Sequence, residues 1–591
     1  MRKKTSERNN GHYYLLNKAF RTSLTAALLS SMINNICSAT DALITGNMIG
    51  PEALASIGLT IPIITVMNCF MDLMFDGAIA RSSTDLGNHD IAGMNRRLSA
   101  GLSSGYLLTL AAMIVLQIAL VPISRFVAPD SEVVRRGFVD YMRITAGFYV
   151  VQSLLAPIPK IIRAIGNPVQ ATRILMIVSI GNVFCDLIFI RLFGLEIAGS
   201  AMGTAGGWML CAPYAVYCIR RNENFRLVNP LPYLKKYIPD NIGAGLPGVL
   251  SSVLTSLMGF VVNGAVVRTA GSIGLSVMTV GVQLSSIAGA AAFGLRKSMQ
   301  LVGGLLQGEK DAVSLRYLFG KVLRLTMLSV SVAAGIVLLI PEPIMQLFGV
   351  KDPAVLSQGA AGLRTYIIFL IPLYFTVTYS VVYQIQKHYT LATVISALPV
   401  LLVICFAEIF SRTDPDLFWW SFFLGGFITV CVQLAAVAIM WKKQKNHCYP
   451  SLIPRKDEEP SLLISSAYTE EDTQKALREA EAFLREQKIR KKTADQAVLC
   501  MDEIFHNIIQ HAKVRKTGYY NARFRVGQSL YVTVRDDGTP FNPVLTAETA
   551  GDMSTLSPES SPGLRIINRM NSEITYSFVC SQNMLQLRWD I

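Results

Sequence analysis

The sequence predicts an α-helical polytopic membrane protein of twelve transmembrane helices in two six-helix halves, followed by a soluble α/β domain. Three observations lead there: recurring apolar runs between Thr22 and Trp441, an internal repeat within them, and an abrupt change of composition after Lys445. Of 591 residues, 51% are hydrophobic and only 16% charged, outside the range of soluble proteins. Runs of about twenty apolar residues cross a hydrocarbon core of about 30 Å as helices, and about twelve such runs can be delimited.

The arrangement of charge orients them. Net charge is +14, but Lys and Arg gather in short segments between apolar runs, as in cytoplasmic loops, and this argues against a nucleic-acid partner. With Arg2, Lys3, Lys4 and Arg8 inside, every second connection is basic: Arg81, Arg96 and Arg97 after span two, Lys160, Arg163 and Arg173 after span four, Arg220, Arg221, Lys235 and Lys236 after span six. The same holds for Arg296, Lys297, Lys310 and Arg316 after span eight, Lys387 after span ten, and Lys442, Lys443 and Lys445 after span twelve. Both termini are therefore expected in the cytoplasm of a bacterium, with the chain in the inner membrane. The loop with Arg125, Arg135 and Arg136 also carries Asp130, Glu132 and Asp140. The N-terminal residues to Lys18 read as a cytoplasmic lead-in, and the ten Cys show neither CxxC pairs nor His-linked metal spacing.

The segment "RFVAPDSEVVRRGFVDYMRI" is echoed by "LFGVKDPAVLSQGAAGLRTYI", and "LGNHDIAGMNRRL" by "LQGEKDAVSLRYL". An offset of about 220 residues relates each pair, so residues 19–225 and 226–445 form two halves. Six spans per half is an even number, so both halves run in the same direction about a pseudo-twofold along the membrane normal, with a cleft between them.

An ionised carboxylate is costly at membrane depth and marks a wet cavity or a partner. Asp41 falls late in span one, Asp72 and Asp76 in span two, Asp186 in span five and Glu408 in span eleven near Arg412. Asn182 and Asp186 share a helix face. With Asp41 and Thr204 they supply oxygens for a proton, Na⁺ or a cationic compound. Asp72 and Asp76 also share a face and are candidate cavity residues. Glu408 reads as interfacial.

"DALITGNMIGPEALASIGLTIPI", "RAIGNPVQATRILMIVSIGNVFCDLIFI" and "GLEIAGSAMGTAGGW" resemble the first, fifth and sixth helices of the multidrug and toxic compound extrusion (MATE) family, over roughly Tyr14 to Trp441. The resemblance implies a cation site at Asp41, Asn182, Asp186 and Thr204. It also implies antiport, in which inward H⁺ or Na⁺ drives export of small organic, often cationic, compounds. Asp72 and Asp76 depart from the family, which has small residues there, and spans seven and ten lack the acidic residues that some members use.

Beyond Lys445, residues 446–460 are polar with Pro punctuation and read as a linker. Residues 461–591 follow a soluble pattern. One helix is expected at about Thr469 to Lys488, with Ala476, Leu477, Ala480, Phe483 and Leu484 on its apolar face, and another at about Lys492 to Ala512. "YYNARFRV", "SLYVTVRDDG", "SEITYSFVC" and "MLQLRWDI" read as strands and "GLRIINRM" as a short helix. Glu503, Asn507 and His511 share a face of the second helix, a set suited to Mg²⁺ coordination and to activation of water. With "RDDGTPFNP" and "SPGLRII" this resembles the ATP-binding α+β sandwich of anti-sigma-factor serine kinases, in the gyrase/Hsp90/histidine-kinase (GHKL) superfamily.

That resemblance implies ATP and Mg²⁺ as cofactors. Glu503 would be the catalytic base, Asn507 the Mg²⁺ ligand, Asp536 the adenine partner, Gly538 a close-approach glycine and Gly563 part of the phosphate-facing lid. "ESSPGLRI" lacks the fuller glycine run of the family. No GxxxxGK[ST] phosphate loop is evident to power transport by ATP. Two other readings stay open. One is a receptor whose transporter-like region controls a kinase that acts on a sigma factor or an antagonist protein. The other is a flippase for lipid-linked precursors, which would favour a cationic central cavity, whereas the sequence places basic residues largely in loops and acidic ones within.

Overall fold

A computed structural model describes residues 13–49, 51–127, 132–222, 224–347, 353–413, 417–443, 446–511, 519–543, 567 and 570–591. The first six apolar runs become α1 (Tyr14–Met48), α2 (Pro51–Gly87), α3 (Ile91–Val127), α4 (Glu132–Leu155) continued by α5 (Pro157–Ala164), α6 (Pro168–Asp186) and α7 (Glu196–Arg220). A π-helical turn, Leu187–Leu192, extends α6 directly after Asp186. In the second half, α8 (Leu234–Ser298) contributes two spans because Gly271 interrupts it at φ 52°, a conformation that only glycine adopts without strain. A second π turn, Met299–Gly303, leads into α9 (Gly304–Gly308). Then come α10 (Ala312–Leu339), α11 (Pro341–Leu347), α12 (Pro353–Ile368) with α13 (Leu370–Ile385), α14 (Tyr389–Thr413) and α15 (Trp420–Lys443).

Ten helical segments among the described residues are long and apolar enough to cross a membrane. Helices α1 and α7 complete the expected twelve. They fall short in apolar character because α1 carries Asn34, Asn35 and Asp41, and α7 carries Gly199, Gly203, Gly206 and Gly207. Leu107, Ile114, Val115 and Ile118 of α3 are exposed, as residues that face lipid tails should be.

Small residues bring the halves together. A Cβ on Gly87 would lie 2.1 Å from Leu305 O, and one on Gly308 would lie 2.2 Å from Thr84 O. The same offset of about 220 residues relates 84 to 305 and 87 to 308, so this contact is the pseudo-twofold acting on itself. On the membrane face where α1 begins, Arg97 donates to Asp85 and to Asp240, both at 2.6 Å, and to Asn241 at 3.2 Å. Tyr389 donates to Asp240 at 2.6 Å, and Arg81 to Ile385 O at 3.2 Å. Asp85 and Arg97 belong to the first half, and Asp240 and Tyr389 to the second, so a mostly buried guanidinium ties the two halves.

The chain forms two compact units, and the smaller comprises, among the described residues, 13–23, Lys310–Ser314 and those of Pro454–Ile591. Its sheet has the order β1 (Ser461–Ala467), β2 (Tyr519–Val526), β3 (Ser529–Asp536), β5 (Gln582–Asp590), β4 (Glu573–Val579), with antiparallel pairing throughout. Strand β1 adjoins the Pro-rich segment, and the sequence reading did not separate it from its surroundings. Two helices cover one face, α16 (Glu470–Glu486) and α17 (Lys491–His511). Thr469 caps α16 by accepting from Asp472 N at 3.3 Å. Ala476, Leu477, Ala480 and Leu484 are buried against the sheet, whereas Phe483 is only partly so.

The expected linker is not free along its length. Leu452 and Ile453 are fully buried, Tyr383 donates to Pro450 O at 2.8 Å, and Gln386 donates to Ser451 O at 2.9 Å. Residues through Ile453 therefore belong to the helical unit, and Pro454 begins the other.

Removing one member of a buried ion network strands its partners, at a cost of about 3–5 kcal/mol. Arg97→Met should therefore lower the thermal unfolding midpoint of the purified chain by several degrees, and Asp85→Asn in the same chain should recover part of the loss.

Candidate functional site

Helices α1, α6 and α7 bring together the four residues expected to hold a cation. Asn182 and Asp186 sit one turn apart on α6 at 3% and 1% exposure, a depth at which polar groups need partners. With its nitrogen turned toward α1, the Asn182 amide donates to Asp41 Oδ1 at 2.7 Å and Oδ2 at 3.3 Å, while its oxygen accepts from Thr204 N at 3.2 Å. The Asn182 amide lies 3.4 Å from Thr204 Oγ1. The Asp186 carboxyl faces that of Asp41, and its Oδ1 is buried without a hydrogen-bond partner among the described residues. Two carboxylates in contact repel unless a proton or metal cation lies between them. The donor set of two carboxyls, an amide and a hydroxyl suits either.

Glycines allow this approach. A Cβ on Gly203 would lie 1.7 Å from Asp186 Oδ1, and one on Gly207 would lie 2.7 Å from Asn182 N. The sequence reading passed over Gly203 and Gly207, although their four-residue spacing matches that of Asn182 and Asp186. It also missed Cys37, one turn before Asp41, whose Sγ lies 4.0 Å from both Asp41 oxygens and 3.0 Å from the Asn182 amide.

A separate cavity of about 1020 Å³ lies between the two halves, and none of Asp41, Asn182, Asp186 and Thr204 lines it. Asp72 and Asp76 do, and Lys160 donates to both, at 2.7 and 2.8 Å. Arg163, Arg296 and Lys297 also line this space. Its charged lining thus holds four cations against two carboxylates, which differs from the sequence reading of basic loops around an acidic interior. These cations follow apolar runs and so resemble loop charges in the sequence, but α5 and the end of α8 turn them inward. Glu408 is held by Arg268 at 2.5 Å and Arg412 at 2.8 Å, an interfacial arrangement.

In the smaller unit, a pocket of about 190 Å³ is lined by Asn507, Asp536, Gly538 and apolar groups including Ile504, Val534 and Leu585. Asp536 Oδ1 accepts from Gly538 N at 2.8 Å and from Asn583 Nδ2 at 2.9 Å. Burial pushes the Asp536 carboxyl above its ordinary range, against the opposing pull of Asn583 and the Gly538 amide. Asn507 Nδ2 is buried without a hydrogen-bond partner among the described residues, as expected where a polar ligand completes the site. Glu503 lies one turn earlier on α17, half-buried and outside the pocket lining. Gly563, the His511 side chain and most of "GLRIINRM" lie outside the described residues. The apolar walls, the Asp536 carboxyl and the unsatisfied Asn507 amide fit an adenine nucleotide.

The MatE family model matches residues 26–200 and 247–409, more than half of the chain. The chain belongs to the MatE family. A second model, the histidine kinase-like ATPase domain, matches residues 467–589. Among curated relatives, the multidrug export protein MepA of Staphylococcus aureus is 28% identical over 223 residues, 36% of this chain and 47% of that protein. Its namesake from Staphylococcus haemolyticus is 25% identical over 240 residues, 40% of this chain and 52% of that protein. The chain thus spans about half the length of the curated relatives it matches.

Two solved structures share the fold at 18% identity, each covering 72% of this chain and 95% of its own. One is an outward-facing multidrug resistance MATE transporter of the MOP superfamily, with a TM-score of 0.62. The other is a MOP superfamily transporter from Pyrococcus furiosus with a binding pocket of reverse polarity, with a TM-score of 0.63. This chain is therefore a multi-pass membrane protein of MATE type that carries a histidine kinase-like ATPase domain.

The Gly203 contact yields a specific expectation. Gly203→Ala should displace the Asp186 carboxyl and lower the thermal unfolding midpoint of the purified chain by several degrees, the overpacking cost being about 1–3 kcal/mol. Gly147→Ala, whose Cβ would meet nothing within 4 Å, should leave the midpoint unchanged.

Proposed function

We propose that this chain is an antiporter of the bacterial inner membrane that uses inward H⁺ or Na⁺ to export small organic compounds, with both termini cytoplasmic and the ATP-binding domain regulating transport. The observation that carries the reading is the cluster of Asp41, Asn182, Asp186 and Thr204, with the buried Asp186 Oδ1 left without a hydrogen-bond partner among the described residues. Entry of a cation lowers the cost of the facing carboxyls and draws α1 toward α6 and α7. Its loss restores the repulsion. Coupling follows if the arrangement of α1 differs between the cation-loaded and cation-free states, so that each favours a different affinity for cargo. The expected positive charge of the cargo is the one element of this reading that the cavity lining does not support.

Regulation is supported within the ATP-binding unit itself. Lys18, in the second turn of α1, is paired with Asp537, the neighbour of Asp536. Tyr468 also donates to Asp537, at 2.8 Å, and Gln582 donates to Leu15 O at 2.7 Å. The Tyr14 and Tyr519 rings meet at 5.0 Å. Residues 14–18 thus pack beside the nucleotide pocket within this unit. In that pocket Asp536 would hold the adenine amino group and Gly538 would admit the base, while Asn507 would hold Mg²⁺. Glu503 would serve as base toward water or a hydroxyl. Bound Mg²⁺ would supply charge neutralisation for the phosphates.

Asp186→Asn should abolish gradient-driven efflux from intact cells while membrane insertion and expression stay normal; undiminished efflux would contradict the cation site. Asp536→Ala should weaken Mg-ATP binding to the purified full chain by about tenfold to a hundredfold, the range for losing a charged hydrogen bond of about 1.5–3 kcal/mol. Titration with a fluorescent ATP analogue measures this.

A further inference from the structure

Resting on the transport reading above, we infer that the central cavity takes an organic anion, an apolar or aromatic body bearing carboxylate, sulfonate or phosphate charge. Charge inventory is the first argument. Among the cavity's lining residues, Lys160, Arg163, Arg296 and Lys297 outnumber Asp72 and Asp76. Both carboxylates are taken up by Lys160. Arg163 donates to Ser30 Oγ at 2.8 Å, and its Nε is buried without a partner among the described residues. Arg296 and Lys297 form no ion pair among the described residues, and Lys297 Nζ lies 5.5 Å from the Phe293 ring centre.

Uncompensated cations inside a membrane bundle are costly, and a cavity that holds them is completed by a ligand of opposite sign. A cationic cargo would meet net repulsion there. The remaining wall fits the rest of such a molecule: Phe75, Trp208, Phe293, Phe369 and Tyr374 present aromatic surface beside the charges. Energetics also favour this sign. With the cell interior negative, an outgoing anion and an incoming cation both move with the membrane potential, each gaining ~2.3 kcal/mol per charge per 100 mV.

Binding to the purified full-length protein in neutral detergent, without any gradient, separates this inference from the antiport reading. Anisotropy titration with 5-carboxyfluorescein should show binding, and ethidium should bind at least about tenfold more weakly. Lys297→Gln and Arg296→Gln should each weaken carboxyfluorescein by about tenfold. Asp76→Asn, which releases Lys160, should strengthen it, a gain that misfolding cannot mimic. Displacement by 1-naphthalenesulfonate identifies a soluble anion as the cargo, and stronger displacement by dioctanoyl phosphatidate a lipid-borne one. Tighter binding of ethidium, absence of carboxyfluorescein binding, indifference to the Lys297, Arg296 and Asp76 changes, or displacement by neither competitor would overturn the inference. If carboxyfluorescein binds as stated but efflux survives Asp186→Asn, the antiport reading fails and the anion site stands.

Discussion

Two carboxyls held face to face inside the first helical half, Asp41 on α1 and Asp186 on α6, set the constraint on which the proposed transport depends. Such a pair is tolerable only when something positive lies between its members. The neighbouring architecture serves that contact. Asn182 ties α6 to α1, Thr204 closes the site from α7, and Gly203 and Gly207 remove the side chains that would hold α7 away. The π turn that follows Asp186 belongs to the same local geometry, since a π insertion re-aims the residues around it.

Much of this was legible in the sequence because apolar runs leave few places for charge. Within "SIGNVFCDLIFI" an Asn and an Asp one turn apart stand out, and helical periodicity alone puts them on one face. The charges of the central cavity were not legible. Lys160, Arg163, Arg296 and Lys297 stand at the edges of apolar runs, where loop charges and inward-facing charges look alike in one dimension. Only the packing of α5 and α8 around the cleft separates them. Lys18 illustrates the same limit, since a lysine in a polar lead-in gives no sign that it pairs with Asp537 some 500 positions away. In the ATP-binding domain, amphipathic α16 could be read directly from its spacing, whereas β1 is too short and too close to a proline-rich stretch to stand apart.

The proposed tasks occupy separate places. The candidate cation site lies within α1, α6 and α7 and the proposed cargo cavity between the two helical halves, and α1 takes part in the first through Asp41 and in the second through Ser30 and Asn34. One continuous helix is thus a physical route by which occupancy of one of these two sites can bias the other, provided that it moves as a body. The proposed nucleotide pocket belongs to the antiparallel sheet domain, where Lys18 pairs with Asp537. The Arg97 network is one of the ties between the halves, beside the close Gly87 and Gly308 contacts, that any parting of the halves there must break.

Cation flux during export tests the central claim most directly. In liposomes containing the purified chain, with internal pH and Na⁺ both monitored, each cargo molecule exported should be accompanied by inward movement of H⁺ or Na⁺, and replacing Asp41 with Asn should eliminate that flux together with transport. Export that proceeds at full rate with neither ion crossing would contradict the account.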